Sequence, residues 1–497
     1  MRHHQEPAPW PRRWCALVLL LASCSTPTAT IAPEPSLVAP SATATATAQP
    51  TATATVTPEP APRLPAYTLN TLIDYDARAV TVDETIVYPN DSGRQLTALV
   101  LAVVPNLWQG GFSLQSLSVD GAPVTDFSLD GQRLEIRLSN TVMEEATTIV
   151  SIQFELALPF IPPDVDPNVS RPRIFGYSGA QLNLTNWYPY IVPQVEGNWL
   201  LHDPWYYGEH LVYEAANFEV NLQFSDPTRA PVVAASGFPE QADGFTRYTL
   251  QGGRTFAISA SQDYQVSTME VGDVIVSSYS FPYFQGEAQA ALRASAQALQ
   301  LYSERFGAYP HRTLAVVMGD FRDGMEFSAL FYLSKDFYNL YDEAAPHNYL
   351  VSVAAHETAH QWWFEQIGND QAMQPWLDEA LCTYSERLYY EIYMPDRLGW
   401  WWSYRIDFFS PQGFVDVPIY SSQGFRSYTN AVYFQGAHFL EALRQRMGDQ
   451  AFFSFLQDYL ALQRGTIATA RDFFAILRLH TSADHSDLFR QYFQNSY

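Results

Sequence analysis

The sequence predicts a multidomain protein in which an N-terminal all-β domain precedes an α+β domain. Three observations predict this order. The 497 residues exceed what a single core ordinarily organises. Between residues 66 and 265 apolar and polar residues alternate in short runs separated by turn signals, the pattern of half-buried strands. From residue 266 onward a few strands give way to long stretches with helical spacing. A hydrophobic content of 47% and an aromatic content of 15% are those of a globular chain.

Residues 1–24 read as a targeting segment. Arg2, Arg12 and Arg13 precede an apolar run from Trp14 to Ala22, too short to span a bilayer and of the length of a secretory core. The "LASC" that follows, Leu21 to Cys24, resembles the bacterial lipobox, which implies lipidation of Cys24 and anchoring of an exported protein at a bacterial membrane. Residues 25–65, rich in Thr, Ala and Pro, cannot bury enough surface to offset ordering entropy and are expected to be a disordered linker. About 40 such residues reach at most roughly 130 Å. Of three cysteines, Cys15 lies in the targeting segment and Cys24 is the lipid site. Cys382 remains, so no internal disulfide is expected.

Within residues 66–265, "NFEVNLQF" alternates Phe218, Val220, Leu222 and Phe224 with polar neighbours, "RLEIRL" (Arg133 to Leu138) does the same, and Asp120-Gly121 and Asp130-Gly131 mark tight turns. No ligand-like cluster occurs there, which leaves this domain a packing or substrate-shaping role. After it, Asp273 to Phe281, Arg312 to Gly319 and Gly324 to Leu333 read as strands. Leu292, Ala296, Leu299, Tyr302 and Phe306 define a helix ending at Gly307, and helices are expected from about Tyr349 to the end. The net charge of -24 repels phosphate backbones and excludes nucleic acid as a partner.

The chemistry concentrates in "VAAHETAHQWW", residues 353–363. On a helix, His356 and His360 fall on one face one turn apart and can point at one ion, while Glu357 lies about 100° round, placed to take a proton from water at that ion. Gly368 is the expected helix end. Catalytic zinc keeps three protein ligands and an open position. Glu379, in a "WLDE" segment with 18 residues intervening after His360 and following Pro375 in a helix's first turn, is the third donor in reach.

Those four residues at that spacing resemble the zinc aminopeptidases of the aminopeptidase N family, the gluzincins of peptidase family M1. Two further stretches carry the resemblance. "DGMEF" (Asp323 to Phe327) is similar to the exopeptidase signature GAMEN, whose glutamate, here Glu326, binds the substrate's free α-amino group, with Gly324 and Met325 beside it. "YFQG" (Tyr433 to Gly436) is similar to Y-x-K-G, whose tyrosine, here Tyr433, stabilises the tetrahedral intermediate. Asp323, Phe327 and Gln435 stand where the family has glycine, asparagine and lysine. The resemblance implies one Zn²⁺ per chain on His356, His360 and Glu379, with Glu357 as general base. It implies a β saddle domain followed by a thermolysin-like domain, in a short form without the C-terminal helical domain of long relatives and with a more open cleft.

Glu386, on the Glu379 side of its helix, either orients a histidine ligand or faces solvent. Cys382 is read as core packing rather than a fourth ligand. Trp362, Trp363, Trp400, Trp401 and Trp402 are read as core or cleft wall, and Gln181 is a conceivable second contact to the substrate amine. The expected function is a membrane-tethered, extracytoplasmic zinc metallo-aminopeptidase acting as a monomer on peptides with free N-termini. The alternatives are a zinc peptidase without strict N-terminal selection and a non-catalytic surface lipoprotein that keeps the fold for binding.

Overall fold

The computed structural model describes residues 63–162, 174–195, 197–322 and 324–497. Cys24, the targeting segment and nearly all of the linker lie outside the described residues, as does Asp323. The described residues belong to one compact unit, Ala61–Tyr497. No helix among them is long and apolar enough to cross a membrane.

The first half is all β. Its main sheet has eight strands, with Ala66–Asp74 in its interior between Ala216–Phe224 and Ala79–Pro89. Ala66–Asp74 runs parallel to Ala216–Phe224 (Leu69 opposite Val220) and antiparallel to Ala79–Pro89 (Leu69 opposite Glu84). Two four-stranded sheets and the two-stranded pair Gln194–Val195 with Asn198–Trp199 complete this half among the described residues. Alternation sets the buried face: Phe218, Val220 and Leu222 point inward, as do Leu134 and Ile136. Asp120 and Gly121, both with positive φ, close the turn between Phe112–Val119 and Ala122–Pro123. One apolar core serves this half and another the second half.

The second half opens with a five-stranded mixed sheet whose order is Gln265–Val271, Val274–Ser280, Thr313–Gly319, Leu330–Ser334 and Met325–Phe327. Helix Gln285–Arg305 crosses from the second strand to the third, and Gly307 follows it with φ of 148°. The region read as one strand from Gly324 to Leu333 is a hairpin. Met325–Phe327 folds back antiparallel on Leu330–Ser334, so its outer edge is open. The turn places Ala329 at φ of 56°; the Gln361 side chain holds it, donating to Phe327 O at 3.1 Å and accepting from Ala329 N at 2.9 Å.

The helix carrying the histidines spans Tyr349–Ala359 and begins at Asn348, whose side chain accepts from the Leu350 and Val351 amides. It ends at His360 rather than Gly368. Beyond it the turns widen, with Glu365 N reaching His360 O and Ile367 N reaching Trp362 O, because Gln361 and Glu365 turn their side chains toward the hairpin and His311. Gly368 instead pairs with Ile467 in a short parallel ladder. A second helix, Trp376–Tyr393, follows Pro375 and packs beside the first. The Tyr302 hydroxyl bridges both, its single hydrogen facing Ser385 O (2.9 Å) and Ala355 O (3.2 Å).

Candidate metal centre and its cleft

His356 and His360 project from adjacent turns with ring centroids 4.9 Å apart, and Glu379 meets them from the neighbouring helix. Glu379 Oε2 lies 3.1 Å from His356 Nε2 and 3.7 Å from His360 Nε2. Donor atoms of the three residues all fall within 4.8 Å of one another, and the residues are buried. Both imidazoles therefore turn Nε2 inward toward one point.

Their outer nitrogens are held by carboxylates. His356 Nδ1 donates to Glu386 Oε1 at 3.0 Å, and His360 Nδ1 lies 2.6 Å from Asp378 Oδ1. This second contact fixes ring orientation and raises ligand basicity, as in metal sites generally. Glu386 is itself fully buried and clasped by Arg405 (Nε to Oε2 2.9 Å, Nη2 to Oε1 2.6 Å) and by Trp401 Nε1 (2.9 Å). Burial opposes its ionisation, but Arg405 and His356 overcome this and hold the carboxyl below its usual range. Cys382 Sγ sits 3.3 Å from His360 Nδ1, behind the ring rather than at its inward nitrogen.

The site is short of positive charge. Burial pushes the carboxyls of Glu379, Asp378 and Glu326 upward; neighbouring carboxylates add to this, and His360 opposes it. Glu326 reaches about 8. Two imidazoles and a carboxylate converging in an over-acidic buried site are a donor set that suits a zinc-sized dication.

Glu357 and Glu326 lie beside this centre: one oxygen of each and a ring nitrogen of His360 fall within 4.8 Å of one another. Gly324 packs so closely on Glu357 that a Cβ there would overlap the carboxylate. Tyr433 comes from a π-turn, Asn430–Gln435, inside a longer helical run. Its ring stacks on His356 (centroids 5.9 Å, 4° between planes) and its hydroxyl engages Glu379. Gly436, just after, lets the helix Gly436–Met447 approach Ala380, next to Glu379.

Two cavities meet here. One, of about 340 Å³, contains His356, Glu357, His360, Glu379 and Tyr433. The other, of about 290 Å³, is lined by Met325, Phe327, Trp205 and other apolar groups. Glu326 and Glu209 line both.

The β half therefore reaches the site, through Tyr207, Gly208 and Glu209, a segment carrying no alternation or motif that the sequence reading used. Gln181 does not reach it; its amide is buried against Asn183, Ser259 and Tyr264. Asp378 and Gln371 were likewise not singled out. Gln371 Nε2 donates to Glu326 Oε1 (3.2 Å) and to Asp378 Oδ2 (2.9 Å). Asp378, adjacent to the third donor, carried a local signal; Glu209 and Gln371 did not.

Residues 290–492 match the Peptidase family M1 domain. Aminopeptidase M1-D of Oryza sativa subsp. japonica is 24% identical over 201 residues, which cover 38% of this chain and 23% of that protein, so the chain matches about a quarter of that relative's length. Among solved structures, the M1 zinc metallopeptidase of Deinococcus radiodurans superposes with a TM-score of 0.59 at 18% identity, covering 86% of this chain and 94% of that one. A mutant of the Deinococcus radiodurans enzyme bound to a Tyr-Ser-Ala substrate gives 0.61 at 18% identity, covering 87% and 95%.

Proposed function

Residues 290–492 of this chain are a peptidase family M1 domain, and from that premise we propose that the protein is a zinc metallo-aminopeptidase removing N-terminal residues from peptides. The observation that carries the reading is the convergence of His356, His360 and Glu379, with both Nε2 atoms turned inward, beside a paired acidic end formed by Glu326 and Glu209. Zinc held by those three residues would act as a Lewis acid at the scissile carbonyl and lower the pKa of water toward about 7.

The chain's own groups do the rest. Glu326 and Glu209 receive the substrate's α-ammonium, a charge-assisted contact that sets cleavage one residue from the N-terminus. The open edge of Met325–Phe327 accepts the peptide backbone as an added strand. Glu357 takes a proton from the attacking water and returns it to the leaving amine. The Tyr433 hydroxyl donates to the developing oxyanion. Glu386 and Asp378 keep the imidazoles oriented throughout.

A test is hydrolysis of one short peptide, free and N-acetylated, by the zinc-loaded protein. Cleavage of the free form alone, one residue at a time, supports the reading. Equal cleavage of both forms favours a zinc peptidase without N-terminal selection, and cleavage of neither favours the binding lipoprotein. Glu357→Gln is expected to cut turnover about 10²- to 10⁴-fold while bound zinc, measured by mass spectrometry, stays near one per chain; retained turnover would remove the general-base role.

Export and lipid anchoring form a separate part of the proposal, supported by the basic residues, apolar run and "LASC" ahead of Cys24. Cys24→Ala should move the protein from the membrane fraction to the soluble one. An unchanged distribution would remove the anchor.

A further inference from the structure

The cavity that holds the metal centre has an electrical direction. Glu326 and Glu209 mark one end, on the side of His360. Arg405 and Arg426, the arginines of its lining, lie toward His356: Arg405 clasps the carboxylate behind that ring, and Arg426 is near enough to feel the charge of Arg405. The two arginines differ. Arg405 is committed to Glu386 by two hydrogen bonds. Arg426 has no carboxylate partner among the described residues; its guanidinium lies over the face of Phe409, 3.7 Å from the ring centroid. Partial burial pulls its pKa below the usual value, Tyr349 opposes this and the charge of Arg405 adds to it. Stacking on an aromatic face leaves the planar fork free along its edge, the geometry that takes a carboxylate through two parallel hydrogen bonds. At about 340 Å³ the cavity is at the small end of ligand sites.

We propose that Arg426 binds the C-terminal carboxylate of a peptide only a few residues long, whose N-terminal ammonium sits at Glu326 and Glu209. The substrates are then short peptides free at both ends, recognised as zwitterions. This rests on the aminopeptidase reading of the same cleft and narrows it to a substrate class.

The test uses the full-length, zinc-loaded protein and three tripeptides with free N-termini: the acid, its C-terminal amide, and an amide ending in Asp. The acid should exceed the plain amide about tenfold in kcat/KM, mostly through KM. Arg426→Gln should bring that ratio close to one by slowing the acid, and Arg426→Lys, which keeps the charge without the fork, should leave an intermediate ratio. Equal ratios in wild type and Arg426→Gln would overturn the inference while leaving aminopeptidase action intact. An Asp-amide that outperforms the acid would also overturn it, since the recognised carboxylate would then be a side chain's. If wild type cleaves none of the three, the aminopeptidase reading has failed; calorimetric binding of acid and amide to Glu357→Gln then decides the Arg426 claim, which falls if the two bind alike.

Discussion

Gln371 joins the two ends of the chemistry through a single nitrogen, one hydrogen donated to Glu326 and the other to Asp378, which in turn holds His360. An amide fits between two carboxylates because its NH₂ offers two donors. Gln371→Leu leaves both acids without that donor, a cost of about 1–3 kcal/mol for each buried group left unsatisfied. The expected outcome is KM for a free-amine peptide raised about tenfold or more, a smaller preference over the acetylated peptide, and faster loss of zinc to a chelator. Unchanged values in all three would mean that Glu326 and Asp378 are held by other contacts. Sequence reading brought His356, Glu357, His360 and Glu379 into one constellation because helical spacing and a short interval relate them. It did not single out Gln371 or Glu209, whose places depend on how a loop and a distant domain fold over that constellation.

Among the elements, Ala79–Pro89 carries an anomaly on its buried face. Glu84 sits between Val82 and Ile86 in the β core, 2% exposed, and neither carboxylate oxygen has a hydrogen-bond partner among the described residues. Burial pushes its pKa well above the ordinary value. Below that ordinary value both folded and unfolded chains are protonated and the residue costs nothing extra. As pH rises the unfolded chain ionises while the folded one holds its proton, so stability falls. Glu84→Gln should therefore match wild type in thermal midpoint at pH 4 and exceed it by a few degrees at pH 8; equal midpoints at both would mean that the carboxylate finds water. Alternation made the strands of this half legible, with Leu134, Ile136, Phe218 and Val220 inward. The hairpin at Met325–Ser334 was not, because its turn, Ser328-Ala329, has no Gly, Pro or Asn and is imposed by Gln361 from another element. The π-turn under Tyr433 was equally hidden, since a one-residue bulge leaves no period of its own.

At the scale of the whole molecule, Arg254 is the joint between the halves. Buried just after strand Phe245–Gly253, it donates to Tyr213 O (2.8 Å) in the β half, to Glu365 O (2.9 Å) beyond the histidines, and to Thr466 O (2.7 Å) near the last helices. Glu214 beside it is raised to about 7 by burial, which Arg254 counteracts. Arg254→Met strips these carbonyls and leaves Glu214 uncompensated, a change of about 3–5 kcal/mol for a broken buried charge partnership. A fall of several degrees in thermal midpoint is expected by calorimetry, and a shift below one degree would show that solvent replaces the arginine. The order of a β half before an α+β half was legible from periodicity alone; the arginine that locks them was not, because its partners are main-chain carbonyls that no side-chain pattern announces.

The interior place of strand Ala66–Asp74 has a mechanical meaning. It is the first strand of the described residues, yet it is zipped on both sides, parallel to Ala216–Phe224 and antiparallel to Ala79–Pro89 over nearly its whole length. A pull applied ahead of Ala66 runs along the strand and loads both ladders in shear, so many hydrogen bonds must yield together instead of opening one rung at a time. Resistance of this kind is governed by the unfolding rate, and we predict that single-molecule stretching from the N-terminal side ruptures the β half at a higher force than stretching from Tyr497 peels the terminal helices. Comparable forces from the two ends would mean that the shear geometry adds no strength.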